Sequence, residues 1–287
     1  MSDICCPYCS SDRCDKEYEL SWKDERFATY HVARCKTCDT GFVLPLPTPE
    51  ELDQLYNSLQ YHSEDRSTID FSAASEKEIN ARISKDGSIV KKYHPHVPPS
   101  GHVLDIGAGW GTLLKYFADR GYQTTGLELS APTAEFAKNK LGLDIHNIPV
   151  ERIDELPDQI YDLITMRHVL EHFYEPTKVL ASLSERMGDN SKLIIEVPDY
   201  GSFDRKGYAE SWPAFAPYHL WYFSRASLQR LLQDSGFEVL LFHTFMSERI
   251  FGGSSLFQRI GRKTLNRLGG KHLFSGRSIG LICQKQT

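Results

Sequence analysis

The chain has 287 residues, a formal net charge of −5, and 40% hydrophobic and 25% charged residues. That is ordinary soluble globular composition, enough for one large α/β domain and something small. The acidic balance argues against a general nucleic-acid surface. No N-terminal apolar h-region or membrane-length apolar run is present, so no membrane partner is expected and the cytoplasm is the default location.

Residues 1–47 carry two C-x-x-C pairs, Cys6-Pro7-Tyr8-Cys9 and Cys35-Lys36-Thr37-Cys38. Each pair can fold as a tight knuckle presenting two thiolates, and two knuckles make a tetrahedral sulfur site that suits structural Zn²⁺. With all four positions taken by sulfur, no coordination place remains for a catalytic water. A redox-active C-x-x-C is the main rival. Cys5 leaves the register of the first pair open by one position, and Cys14 and Cys283 read as plain small side chains. Between the pairs, Phe27, Tyr30 and Val32 alternate with polar residues, as in the hairpin of a zinc ribbon.

Residues 48–100 read as a helical connector or cap. Thr48-Pro49-Glu50-Glu51 is a capping box with proline at the first helical position. After a polar run, Ile79, Ile83, Ile89 and Val90 fall at helical spacing, and Pro98-Pro99-Ser100-Gly101 turns the chain into a strand.

The stretch from His102 to Ser130 organises the remainder, residues 101–287. The apolar run Val103, Leu104, Ile106 predicts a buried parallel strand that ends in Gly107-Ala108-Gly109-Trp110-Gly111. Leu113, Leu114, Phe117 and Ala118 then repeat at helical spacing, Gly121 stops the helix, and a second strand over 123–127 ends on Glu128. Strand, glycine turn, helix, strand and acid is the beginning of a nucleotide-binding sheet. The glycines let a ligand approach bare backbone, and the acid can accept hydrogen bonds from ribose hydroxyls. The spacing is G-x-G-x-G, with Thr112 where a dinucleotide fingerprint has its last glycine, and Asp105 precedes the turn, where it would sit badly beside a pyrophosphate. Further strands are predicted over 143–145, 161–166, 192–197, 239–245 and 278–284. A helix follows Ser130, and another runs from the cap at Ser224 to Gly236. The segment after Pro198 reads as a long loop whose aromatic residues, Tyr208 to Phe223 among them, suit a small organic substrate. Arg249, Arg259, Arg262, Lys263, Arg267, Lys271 and Arg277 punctuate a stretch whose residues 254–268 fit an amphipathic helix. Its basic face is either a solvated face or a site for a phosphate-bearing substrate.

Leu104-Asp105-Ile106-Gly107-Ala108-Gly109-Trp110-Gly111 resembles the first motif of the class I S-adenosylmethionine (SAM) methyltransferases. Val169-Leu170-Glu171-His172 with Glu175-Pro176, and Tyr218-His219 leading to Phe223-Ser224, resemble later motifs of the same class. RCKTCDTGFVLPLPTPEELDQLY resembles the zinc-ribbon leader of a subset that acts on small molecules such as sugars or specialised metabolites. The resemblance implies a seven-stranded Rossmann-like α/β sheet behind a small N-terminal ribbon, with the seventh strand between the fifth and sixth. It implies SAM as cofactor, held by Asp105, Gly107, Ala108, Gly109, Gly111, Glu128, Leu129 and Arg167, and zinc at Cys6, Cys9, Cys35 and Cys38. His168 and His219 are the candidate general bases, each with a core or capping role as its alternative. The substrate is expected over the ends of the fourth and fifth strands, near Arg167-His168 and the aromatic loop. Methyl transfer to a small molecule is the expected reaction. An RNA methyltransferase with the ribbon as reader, a non-catalytic ribbon scaffold and an NAD oxidoreductase are the alternatives. The ribbon's basic residues, Arg13, Lys16, Lys23, Arg26, Arg34 and Lys36, are outnumbered by its acids, which disfavours the RNA reading.

Overall fold

The computed structural model describes residues 4–22, 28–56, 73–245 and 278–286. In chain order it runs β1 (Cys14–Leu20), β2 (Tyr30–Cys35), β3 (Gly41–Leu44), α1 (Pro49–Tyr56), α2 (Glu76–Val90), β4 (His102–Ile106), α3 (Thr112–Ala118) and β5 (Gln123–Leu127). It continues with α4 (Ala131–Leu141), β6 (Asp144–His146), β7 (Tyr161–Arg167), α5 (Pro176–Glu185), β8 (Met187–Pro198) and α6 (Phe203–Tyr208). It ends with β9 (Trp221–Tyr222), α7 (Arg225–Asp234), β10 (Phe237–Phe245) and β11 (Ser278–Lys285). The chain forms two compact units, one of Met1–Leu46, Glu196–Leu231 and Phe242–Gly280, the other of Pro47–Ile195, Leu232–Leu241 and Leu281–Thr287.

The sheet that carries the glycine turn has the order β10-β11-β8-β7-β4-β5-β6, so β11 lies between β8 and β10, as the resemblance implies for the seventh strand. β4 pairs in parallel with both β5 and β7, and β5 with β6. Val103, Leu104, Leu163 and Ile164 are fully buried, which is why these strands read as continuous apolar runs rather than alternating ones. From β4 the chain steps outward to β5 and β6, then returns to the other side of β4 as β7. The reversal puts a topological switch point at the carboxyl ends of β4 and β7, where open α/β sheets bind ligands. α1 starts at the capping box that the sequence predicts, and α2 at one that the sequence reading did not name. Thr48 and Glu51 exchange backbone and side-chain bonds of 2.7 and 3.2 Å at α1, and Ser75 and Glu78 cap α2 in the same way. Gly121 and Gly142, at φ +84° and +68°, close α3 and α4.

The other unit is built on β1, β2 and β3, which pair antiparallel, and β9 adds a fourth strand to β3 with Gly41 opposite Tyr222 and Phe42 opposite Trp221. A Cβ on Gly41 would lie 2.8 Å from Tyr200 Cε1 and 2.9 Å from Tyr222 Cβ, so this approach requires glycine. The segment after Pro198 therefore differs from the structureless aromatic loop expected. Ser202 accepts from the Arg205 N–H at 3.0 Å and starts α6, and β9 joins the ribbon sheet. Most of its rings are core: Tyr200, Trp212, Phe215, Trp221, Tyr222 and Phe223 are buried, whereas Phe203 and Tyr208 are exposed. Phe215 packs at 5.0 Å from Tyr18, 5.1 Å from Trp212 and 5.3 Å from Tyr222. The sixth-position strand also begins one residue later than read, at Asp144. Phe27 and the basic stretch with its amphipathic pattern at 254–268 lie outside the described residues. Among the described residues, no helix is long and apolar enough to cross a membrane.

Candidate functional site

The glycines of the turn after β4 are required for two different reasons. All three have positive φ, +69° at Gly107, +53° at Gly109 and +75° at Gly111. A side chain at Gly107 would collide with Val169 Cγ2, and one at Gly111 would lie 2.6 Å from Leu143 Cδ1 and 2.9 Å from Ala137 Cβ. Those two serve close packing against the chain's own elements. Gly109 is different: a Cβ there would meet nothing within 4 Å. Its open side is what a turn needs if a ligand is to approach the backbone. Ala108, between them, is buried and its N–H donates to Leu127 O at 2.8 Å, fixing the turn to the end of β5.

Glu128 follows β5 and turns its carboxylate onto this loop. Oε2 accepts the Gly109 N–H and Oε1 the Ser130 N–H, both at 2.7 Å. Burial raises its pKa, while the Ser130 and Gly109 amides oppose that shift. A carboxylate has about four acceptor positions. One backbone N–H on each oxygen leaves room for the two hydroxyls of a ribose. The adjoining Leu129 side chain is exposed, an apolar surface beside that carboxylate. Asn147, in the loop after β6, donates to the carbonyls of Glu128 and Leu129 at 2.7 and 2.8 Å. Asn147 was not among the residues expected to hold the cofactor. The only signal was an asparagine just past a short strand.

Asp105, the acid of β4, is buried, and Thr165 on β7 donates to its Oδ1 at 2.5 Å. Burial pushes its pKa up to about 7, against the Thr165 hydrogen bond and the positive charge of Arg167. Arg167 closes β7 and pairs through Nη1 with Asp86 Oδ1 at 3.2 Å. Asp86 itself was not singled out in the sequence.

His168 follows with φ +55°, a left-handed backbone that residues other than glycine rarely adopt. Such strain clusters at functional sites. Its Nδ1 lies 3.6 Å from Oε1 of the buried Glu171. His219 belongs to the other unit. There its Nδ1 bonds the Ala214 carbonyl at 2.7 Å, so that nitrogen carries the proton, and its ring stands edge-on to Tyr218 at 5.0 Å.

The cysteines of the ribbon make a second constellation. The two knuckles repeat one hydrogen-bond pattern: Ser10 N to Cys6 O matches Asp39 N to Cys35 O, both 2.9 Å. Cys6 N to Ser11 O at 2.8 Å likewise matches Cys35 N to Thr40 O at 3.0 Å. Ser10 and Asp39, each just after the second cysteine, share a left-handed φ of 57° and 63°. The four sulfurs of Cys6, Cys9, Cys35 and Cys38 lie within 4.8 Å of one another, with Cys6–Cys38 and Cys9–Cys35 both at 3.6 Å. That is far beyond a disulfide bond and close to the edge of a tetrahedron with zinc–sulfur distances of about 2.3 Å. Cys5 is exposed and outside the cluster, and Cys14 bonds the Ser11 carbonyl instead.

A family model described as "Methyltransferase domain" matches residues 79–241, more than half of the chain. Among curated proteins, the mitochondrial ubiquinone biosynthesis O-methyltransferase of Schizosaccharomyces pombe is 34% identical over 100 residues, 32% of this chain and 36% of that protein. The corresponding protein of Nitrosomonas europaea is 34% identical over 85 residues, 28% and 36% of the two chains. The chain thus spans about a third of the length of the curated relatives it matches. Among solved structures, a SAM-dependent methyltransferase from Archaeoglobus fulgidus superposes with a TM-score of 0.54 at 20% identity, covering 71% of this chain and 94% of that one. Magnesium protoporphyrin IX methyltransferase from Synechocystis, with bound S-adenosylhomocysteine, gives 0.55 at 15% identity, covering 83% and 100%. The chain belongs to the methyltransferase-domain family, and its seven-stranded sheet is the class I SAM-dependent methyltransferase fold.

Proposed function

We propose that this protein transfers the methyl group of S-adenosylmethionine to a small-molecule acceptor, with a structural zinc ion in its ribbon. The observation that carries the reading is Glu128, whose carboxylate braces the Gly109 N–H at 2.7 Å beside the open face of the turn. When bound, SAM supplies an electrophilic methyl on a sulfonium, and its product is S-adenosylhomocysteine. The protein's share of such a reaction is alignment, with proton removal where the nucleophile carries one. Glu128 would hold the ribose, the turn of Gly107, Ala108, Gly109 and Gly111 would let the cofactor approach its backbone, and Leu129 would lie against the adenine. Arg167 would offer a cation, and the Asp105 carboxyl a hydrogen-bonding partner, to the amino-acid end. His168, braced by Glu171, is the first candidate for the general base, and His219 the second.

The acceptor class follows from the relatives rather than from the site. Proteins named as O-methyltransferases share a third of their sequence length with this chain, so a hydroxyl on a small metabolite is the first acceptor to test. A phosphate-bearing substrate for the basic stretch at 249–277 belongs to the same screen. The cysteine cluster suits zinc through its four-sulfur donor set and tetrahedral spacing, and a reducing cytoplasm would keep those thiols available. Titration calorimetry with SAM, S-adenosylhomocysteine and NADH tests the cofactor. Saturable binding of the first two with no binding of NADH is expected. Binding of NADH alone would sink the reading.

A further inference from the structure

The ribbon carries a further cysteine beside its four-sulfur cluster. Cys14 opens β1 directly opposite Cys35 on β2. Two backbone bonds fix the type of that pair. The Lys36 N–H donates to Arg13 O at 2.8 Å, so the neighbouring position on the ladder is the hydrogen-bonded one. The Cys35 N–H turns the other way, to Thr40 O at 3.0 Å. Cys14 and Cys35 are therefore a non-hydrogen-bonded pair, in which Cα atoms stand about 4.5 Å apart and side chains share a face. A disulfide needs Cα atoms roughly 4.4–6.8 Å apart. Cysteines opposed in this way can be joined without moving either strand.

The two sulfurs have different surroundings. Cys35 is fully buried within the cluster, whereas Cys14 is half-buried and its thiol donates to Ser11 O at 3.5 Å. An S–H group is a weak donor, so that bond holds the Cys14 sulfur only loosely. Burial and the facing Cys35 push the Cys14 thiol up, so it is a neutral neighbour of the cluster and not a fifth thiolate. We propose, on the zinc reading above, that Cys14 and Cys35 are a redox pair whose disulfide excludes zinc. A peroxide is the two-electron oxidant. The half-buried Cys14 sulfur attacks one peroxide oxygen, the O–O bond breaks, and the thiol proton joins the departing hydroxide as water, leaving a sulfenic acid. The Cys35 thiolate then attacks that sulfur. The S–S bond forms, the S–O bond breaks, and hydroxide leaves. Zinc thereby loses one of its four sulfurs and dissociates. The new bond staples β1 to β2 in their native register, so the hairpin outlasts the metal.

The test treats the zinc-loaded full chain with excess hydrogen peroxide, because a protonated thiol reacts slowly. A chromogenic chelator reads the zinc released, and peptide mass spectrometry without reduction maps the disulfide. Zinc release with a Cys14–Cys35 bond is expected, and dithiothreitol with added zinc should restore the metal. Cys14→Ser and Cys14→Ala should each bind a full equivalent of zinc and release it at least about tenfold more slowly under the same peroxide. Release from both variants at the unsubstituted rate, or a bond between two cluster cysteines in place of Cys14–Cys35, would overturn the proposal. Loss of zinc from either variant before any oxidant is added would make Cys14 a ligand, and would overturn it as well. Failure of the reduced, unsubstituted protein to bind zinc would overturn the zinc reading itself, and is told apart by that control.

Discussion

Replacing Gly107 and Gly109 separately by alanine should divide the stability of the turn from its ligand contact. Both residues have left-handed φ, +69° and +53°, and an L-residue there costs roughly 1–2 kcal/mol. The two sites differ in what the new methyl meets. At Gly107 it collides with Val169 Cγ2, and overpacking of that kind adds about 1–3 kcal/mol. Gly107→Ala should therefore lose about 2–5 kcal/mol of folding stability. At Gly109 nothing lies within 4 Å, and the stiffer unfolded chain returns roughly 0.4–1 kcal/mol. Gly109→Ala should fold with a loss of only about 1 kcal/mol. Its cost falls on binding, because the methyl enters the space where a ligand would approach the backbone. A tenfold or greater loss of S-adenosylhomocysteine affinity is expected, about 1.4 kcal/mol. Urea denaturation gives the first quantity and calorimetry the second. Gly109→Ala binding S-adenosylhomocysteine as tightly as the unsubstituted protein would refute the assignment of the open face. Gly107→Ala with unchanged stability would refute the packing argument.

Three further outcomes are expected. Glu128→Ala removes the acceptor of two backbone N–H bonds as well as the proposed ribose acceptor, and should weaken SAM binding by about 1.5–3 kcal/mol; unchanged affinity by calorimetry would remove Glu128 from the site. Burial pushes the Asp105 pKa up from the ordinary carboxylate range to about 7, so between those values the folded protein holds a proton there that the unfolded chain has already released. Its contribution is then fully present below about pH 4 and lost as pH rises towards 7. Asp105→Asn should flatten that decline in urea midpoints measured between pH 5 and 8; an identical slope in both proteins would show that another group sets it. Elemental analysis should find one zinc per chain and none in Cys35→Ser. Loss of the metal should also red-shift tryptophan fluorescence, because Trp212 and Trp221 are buried in the ribbon's unit. Full zinc content in Cys35→Ser would dismiss the site.

The sheet was legible because its signals are local. Val103, Leu104 and Ile106 are apolar on both faces of β4, the three glycines stand where left-handed φ is needed, and Glu128 falls one residue past β5. Each is decided within a few residues, by backbone sterics and burial. The two C-x-x-C pairs were legible for the same reason, since a knuckle is a local turn. The structure repeats one hydrogen-bond pattern around Cys6 and Cys35. What escaped depends on partners far along the chain. Asp86 looked like an ordinary helix charge, although its spacing from Ile83 and Val90 places it on the buried stripe. Its partners off its own helix are Thr112 and Arg167, the latter on a strand that α2 does not precede directly. The aromatic segment escaped in the same way. A two-residue strand carries almost no periodicity, and only its pairing with Gly41 and Phe42 turns Trp221 and Tyr222 from loop residues into ribbon sheet. Tyr200 then donates to Glu17 at 2.6 Å, and the Arg205 guanidinium, stacked 4.2 Å over the Tyr200 ring, bonds the same carboxylate at 3.2 Å. These contacts join β1 to the segment after β8 within one unit. The ribbon's core is thus supplied largely by residues 196–231, which are remote from the cysteines in sequence. A metal that fixes the knuckles would therefore also order that aromatic segment, a coupling no local motif in the sequence expresses.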